Sequence, residues 1–247
     1  MDVISVGRVS VDLYAVEPNA GFETEQSFQK SIGGSPTNVA IAAAQLGLSA
    51  AMITRVGDDD FGDYVISKLH GFGVDTRFIT KQVGNQTPLA FASLTPPESP
   101  KVIFYRGTSA PDTTITFDSV SAEEISEARV LWISQSNLAT GETAKSSLAW
   151  MRLRNPNQHT ILDLDYRPSL WASESAARSQ AQEAIALATV VVGNLAECRV
   201  ALGDVSAEQA CDELLSRGVQ LAIVKLGADG VMLATSEKRI QITPVPI

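Results

Sequence analysis

Short β-branched runs alternate with stretches of helical spacing along most of this chain, and that alternation is what most restricts its fold. The runs are residues 2–7 (DVISVG), 50–56 (AAMITRV), 129–134 (RVLWIS), 159–164 (HTILDL), 188–193 (ATVVVG), 220–225 (QLAIVK) and 230–235 (GVMLAT). Between them, residues 36–46, 61–72, 140–153, 173–187 and 207–217 carry apolar side chains at helical intervals, and Ser206 with Gln209 makes a capping-box start. Strands that are apolar nearly throughout, joined by helices, imply a parallel sheet covered on both faces. The expectation is an α/β, doubly wound sheet flanked by helices, forming one domain over residues 1–247.

Two stretches, 12–32 and 84–107, break the alternation. They hold apolar runs such as Leu89–Leu94 and Val102–Tyr105 with the turn residues Pro96, Pro97 and Pro100 between them, and no helical segment. They read as a small inserted antiparallel sheet. Rooted at the C-terminal ends of parallel strands, such a sheet would cover the crevice where α/β proteins bind ligands, so a lid is preferred over a decorative hairpin.

Charge and composition exclude several classes. The 247 residues carry a net charge of −9 without a block of like charge, which argues against nonspecific nucleic-acid binding. No apolar run approaches the roughly 18 residues of a membrane span, and Met1-Asp2 opens without a basic leader, so the expectation is a soluble, cytoplasmic protein with no membrane partner. Cys198 and Cys211 stand apart from any CxxC or histidine cluster and read as buried structural thiols.

The most informative segment is Ile32-Gly-Gly-Ser-Pro-Thr-Asn-Val-Ala40. Its two glycines permit a close backbone approach, Ser35 can cap, Pro36 suits a first helical position and Asn38 falls in the first turn. A helix start of this kind binds polar ligands, although an ordinary, well-capped strand-to-helix turn would share its Gly-Gly. No G-x-G-x-x-G follows the first strand, which counts against a nucleotide-binding dehydrogenase.

Gly33-Gly34 followed by Pro36, Asn38, Ala40, Gly47 and Gly57 resembles the first signature of the PfkB (ribokinase-like) carbohydrate kinases. Flanking segments agree, from Gly7-Arg-Val-Ser-Val-Asp12 to Val56-Gly57 through Gly62. Asp163-Leu-Asp165-Tyr-Arg167 resembles the family's D-x-N-x-R motif with Asp165 in place of asparagine, and Asn194-Leu-Ala-Glu197 resembles its N-x-x-E motif. The resemblance implies ATP and Mg²⁺ as cofactors. On the sugar side it implies Asp12, Gly33, Gly34, Asn38, Tyr105, Arg106 and Arg167. On the nucleotide side it implies Asn194, Lys225, Gly227 and Gly230, with Glu197 reaching the metal through water. A homodimer through the lid is also implied, and apolar lid strands would be poor neighbours for water if left unpaired.

Arg106 and Arg167 match positions that hold the substrate's acid group in 2-keto-3-deoxygluconate kinases. A guanidinium pair suits a carboxylate better than neutral hydroxyls, whereas surface arginines in weak ion pairs are the plain alternative. The resemblance is nearest to the branch that phosphorylates 5-dehydro-2-deoxy-D-gluconate at its terminal hydroxyl in inositol catabolism. 2-Keto-3-deoxygluconate kinases and fructokinases are its neighbours.

Phosphoryl transfer also needs an anion hole and a base, which in this family come from a segment close to D-T-x-G-A-G-D. None occurs in the 247 residues, and none of Asp12, Asp163, Asp165 or Glu197 stands in a glycine-rich helix start that could replace it. No catalytic residue is therefore assigned. A C-terminally incomplete kinase is preferred over a natural, catalytically dead sugar-binding module, and either would have little or no kinase activity as given.

Overall fold

The computed structural model describes residues 1–17, 21–93, 101–107 and 109–244. The first part of the chain forms β1 (Val3–Val6), β2 (Ser10–Ala15), β3 (Phe28–Gly33), α1 (Ser35–Gln45), β4 (Ala50–Gly57), α2 (Asp60–Gly71), β5 (Ile79–Gln82), β6 (Leu89–Ser93) and β7 (Lys101–Tyr105). It continues through α3 (Ala122–Glu127), β8 (Val130–Ser134), α4 (Gly141–Leu153), β9 (His159–Asp163), α5 (Glu174–Ile185) and β10 (Val190–Asn194). Then follow α6 (Leu195–Leu202), α7 (Ala207–Ser216), β11 (Leu221–Lys225), β12 (Val231–Ala234) and β13 (Arg239–Ile242).

Among the described residues, nine strands form one sheet in the order β13-β12-β11-β10-β9-β8-β1-β4-β5. All neighbours from β5 to β11 are parallel, while β12 and β13 close the far edge as antiparallel strands. β1 lies inside the sheet and its four residues are all buried, as a strand with three apolar residues out of four and covered on both faces would be; Ser5 is buried with them. Alternate side chains of β4 serve different packing groups, as the strand's twofold period dictates: Ile53 joins Ile4 and Leu131, and Met52 joins Val65 and Leu69 of α2. Cys198 and Cys211 are free and buried as expected, and burial pushes the Cys198 thiol up to about 12. Among the described residues no helix is long and apolar enough to cross a membrane.

Three elements escaped the sequence reading. β5 is a four-residue edge strand with two exposed polar positions, and α3 is a single acidic stretch of six residues. α6 follows β10 without a loop, because Asn194 both ends the strand and caps the helix.

The inserted sheet has the order β3-β2-β6-β7. The expectation of an antiparallel sheet is corrected here: β2/β3 and β6/β7 are antiparallel, but β2 and β6 run parallel. Two separate hairpins meet through their outgoing strands, so the join between them must be parallel. Leu94, Pro96, Pro97 and Pro100 lie outside the described residues. One face of this sheet places Val11, Ile32 and Leu89 against Val65 and Leu69 of α2, so the lid is anchored to the body. Its edge strand β7 is exposed at every residue.

Leu162, fully buried at the middle of the parallel sheet, measures how tightly this core is packed. Leu162→Ala is expected to cost about 2–5 kcal/mol, read as a lower urea midpoint at unchanged slope. A loss under about 1 kcal/mol would mean that this part of the sheet collapses around the void.

Candidate active site

Strand order reverses at β1, which pairs with β4 on one side and β8 on the other. In an open parallel sheet that reversal leaves a crevice beyond the strands' C-terminal ends. Gly7 and Arg8 follow β1 there, and the turn Gln135–Leu138 follows β8. The Asn137 amide donates to the Val6 carbonyl and fills the space over Gly7, where an added Cβ would lie 2.0 Å from the amide oxygen.

The glycines of the helix start are required by the protein's own atoms. A Cβ on Gly33 would lie 1.9 Å from the Asp12 carboxylate, and one on Gly34, at φ +112°, would lie 2.3 Å from the Arg8 carbonyl oxygen. Ser35 is the first residue of α1 and caps nothing, so that expectation is corrected; its hydroxyl instead donates to Asp165 at 2.6 Å. Pro36 is accordingly the second helical residue. The Asn38 N–H is not free, since it donates to the Gly34 carbonyl at 3.0 Å, and the residue is exposed at the crevice-side end of the helix.

Asp165, the departure from the family's asparagine, is 4% exposed and ties three segments together. It accepts from Ser35 at 2.6 Å and from Ser136 at 3.3 Å, and it pairs with Arg167 at 2.7 Å. Arg106, half-buried, pairs with the buried Asp112. Each of the two arginines expected to face a ligand therefore already holds an internal carboxylate. Asp12 accepts from Ser10 at 2.7 Å and from Tyr14 at 3.4 Å, and burial raises its carboxyl above the usual range.

Register sets Tyr105 on the other face of its strand from Phe104, although both residues and Arg106 line one cavity. Asp12 is level with Ala90, and Ala90 with Phe104, so Asp12 and Phe104 share one face of the lid while Tyr105 stands on the other beside Phe91. Phe104 turns its ring to Arg8, whose guanidinium carbon lies 5.2 Å from the ring centroid. Arg8 was not singled out from sequence, although a lone arginine inside the apolar stretch from Val3 to Val11 is a readable signal.

On the far side of the crevice, Asn194, Lys225 and Gly227 line a cleft of about 660 Å³. Asn194 and Glu197 form a reciprocal cap: the Glu197 N–H donates to the Asn194 side chain at 2.9 Å, and the Asn194 N–H donates to Glu197 Oε2 at 2.7 Å. Gly230 is not in the cleft lining; a Cβ there would lie 1.9 Å from the Ile242 carbonyl, so its place is in the β12/β13 packing. Asp163, Glu197, Asp165 and Lys225 lie within electrostatic reach of one another between the two groups. Burial raises both the Asp163 and Glu197 carboxyls, with Lys225 opposing the rise.

The Asp163 carboxyl is pushed up to about 6. A carboxyl whose folded pKa exceeds its unfolded one holds its proton more tightly when folded, so its ionisation lowers stability as pH rises from about 4 through about 6. Asp163→Asn should thus match the wild type near pH 4 and exceed it by up to about 3 kcal/mol above pH 6.5. Urea midpoints across that range check it; a difference independent of pH would refute the assigned burial effect.

Comparison with known proteins agrees with this geometry. The model of the pfkB family carbohydrate kinases matches residues 1–247. The 5-dehydro-2-deoxygluconokinase of Shouchella clausii (strain KSM-K16) is 31% identical over 233 residues, covering 93% of this chain and 71% of that protein. A PfkB protein from Polaromonas sp. JS666 superposes with a TM-score of 0.92 at 24% identity, over 100% of this chain and 83% of that one. An uncharacterized sugar kinase from Pyrococcus horikoshii, solved in complex with ATP, gives 0.82 at 25% identity over 99% of this chain and 78% of that one. With its doubly wound sheet, its second small sheet and a family model that matches residues 1–247, this chain belongs to the pfkB family of carbohydrate kinases, which are phosphotransferases.

Proposed function

We propose that this chain carries the substrate side of an ATP-dependent kinase acting on the terminal hydroxyl of a sugar acid, 5-dehydro-2-deoxy-D-gluconate. The observation that carries this reading is the placing of Arg106 and Arg167 within electrostatic reach of the buried Arg8 at the crevice, in a protein whose net charge is −9. A neutral hexose gives no reason to gather three guanidinium groups around one opening with Arg8 buried among them, whereas a carboxylate does. The name of the Shouchella clausii relative supports the same substrate. Asp12, beside Gly33 and Gly34, is suited to accept from sugar hydroxyls, and Asn38 flanks them.

ATP is proposed for the cleft at Asn194, Lys225 and Gly227, in keeping with the ATP complex of the Pyrococcus horikoshii kinase. Among the described residues no group of three or more histidine, cysteine or acidic side chains could hold a metal by itself. That fits Mg²⁺, which keeps most of its waters and binds mainly to phosphates. Asp163 Oδ1, buried and without a partner, and Glu197 are the groups to hold such waters, and the ion would neutralise phosphate charge. A homodimer through the lid is proposed from the exposed apolar residues of β7, Val102 through Tyr105, and sedimentation equilibrium reads it. Two buried free thiols and the use of ATP are in keeping with a cytoplasmic location.

These 247 residues contain no segment like D-T-x-G-A-G-D, so we propose binding without efficient transfer for them alone. A catalytically silent sugar-binding module would share that property but would bind the acid without regard to nucleotide. Calorimetry with 5-dehydro-2-deoxy-D-gluconate, with and without Mg-ATP, should show both ligands bound and each tightening the other. Lys225→Ala should weaken ATP about tenfold, or about 1.4 kcal/mol, and leave the acid unchanged. Robust phosphorylation by these residues would overturn the proposed inactivity, and failure to bind either ligand would overturn the kinase reading.

A further inference from the structure

We propose that Arg8, not Arg106 or Arg167, is the residue that receives the substrate's carboxylate and makes this crevice selective for sugar acids over neutral sugars. The inference rests on the sugar-acid reading above and assigns its discriminating contact to one side chain.

The three arginines differ in what already neutralises them. Arg106 is paired with buried Asp112, and Arg167 holds buried Asp165 at 2.7 Å. Arg8 is 8% exposed and has no ion pair among the described residues; its Nε, like that of Arg106, is buried without a hydrogen-bond partner, so the missing ion pair is what sets it apart. Asp165, Asp112 and Asp12 lie within its electrostatic reach but none pairs with it: Asp165 holds Arg167, Asp112 holds Arg106, and Asp12 accepts from Ser10 and Tyr14. A guanidinium taken out of water without a directly paired anion is unfavourable, since carboxylates already engaged elsewhere compensate it only in part, and a ligand can supply the missing partner.

Position supports the assignment. Arg8 follows β1 directly, at the reversal of strand order, and its carbonyl lies against Gly34, so its backbone is held between β1 and the start of α1. Phe104 from the lid covers the guanidinium, which keeps water from one side while N–H groups remain for a planar acceptor. Arg106 and Arg167, through their carboxylates, then hold the walls of the crevice in place. Because Phe104 belongs to the lid, the same contact couples the seat of the acid to the position of the lid.

The test compares two probes by calorimetry: 5-dehydro-2-deoxy-D-gluconate and its neutral analogue in which CH₂OH replaces the carboxylate. The wild-type chain should bind the acid at least tenfold more tightly than the analogue. Arg8→Met should lose about 10–100-fold in acid affinity and keep its affinity for the analogue within threefold. Arg8→Lys, which keeps the charge but not the fork, should fall between. The urea midpoint of Arg8→Met without ligand should equal or exceed that of the wild type, since a buried unpaired charge has been removed. A midpoint well below wild type would show that Arg8 is structural and overturn the proposal. Undiminished acid binding by Arg8→Met would also overturn it and return the carboxylate to Arg106 and Arg167. Equal binding of both probes by the wild type would overturn the sugar-acid reading itself, an outcome distinct from the other two.

Discussion

The candidate groups beneath the small sheet stand where they do because β1 is hydrogen-bonded on both sides and the strand order reverses there. Helices connecting parallel strands must leave that point in opposite directions, and the backbone cannot fill the space between them. Gly7-Arg8, Ser136-Asn137 and the start of α1 all end up around one opening for that reason. The lid hairpin of β2 and β3 is continuous with β1, so it too arises beside the opening.

Around the opening the protein buries charge of both signs. Asp165 and Asp112 neutralise Arg167 and Arg106, and Asp165 also takes hydroxyls from two different elements. Removing one partner from such a pair strands the other in a poorly solvated place, so these contacts rigidify the walls more than they stabilise the fold. Farther along, Asp163 and Glu197 lack full compensation from Lys225 and hold their protons more tightly than ordinary carboxyls. The crevice is thus graded from an arginine-rich end under the small sheet to an acidic stretch beside the cleft at Asn194 and Lys225.

Much of this could be read from the chain alone. Apolar runs such as VISV and VLWIS can only be interior parallel strands, and the helices between them were placed to within a residue or two. Short elements were harder, because β5 and α3 have too few residues for a period to emerge. The lid's extent was legible but its parallel join was not, since pairing between two hairpins depends on where the body sends each of them. Asp12, Gly33, Gly34, Arg106 and Arg167 stand around one opening, while Tyr105 lies on the opposite face of its strand from Phe104, a register no motif records.

By itself the sequence determined the α/β class, the family and the segments that form the crevice, because those follow from periodicity and from glycines at positions no other residue tolerates. Tertiary structure alone decided how the charges are distributed. Which arginine is paired and which is left bare depends on contacts between residues as far apart as Ser35 and Asp165, or Arg8 and Phe104. Local sequence holds no information about such partners, since ion pairing and desolvation act through space and not along the chain.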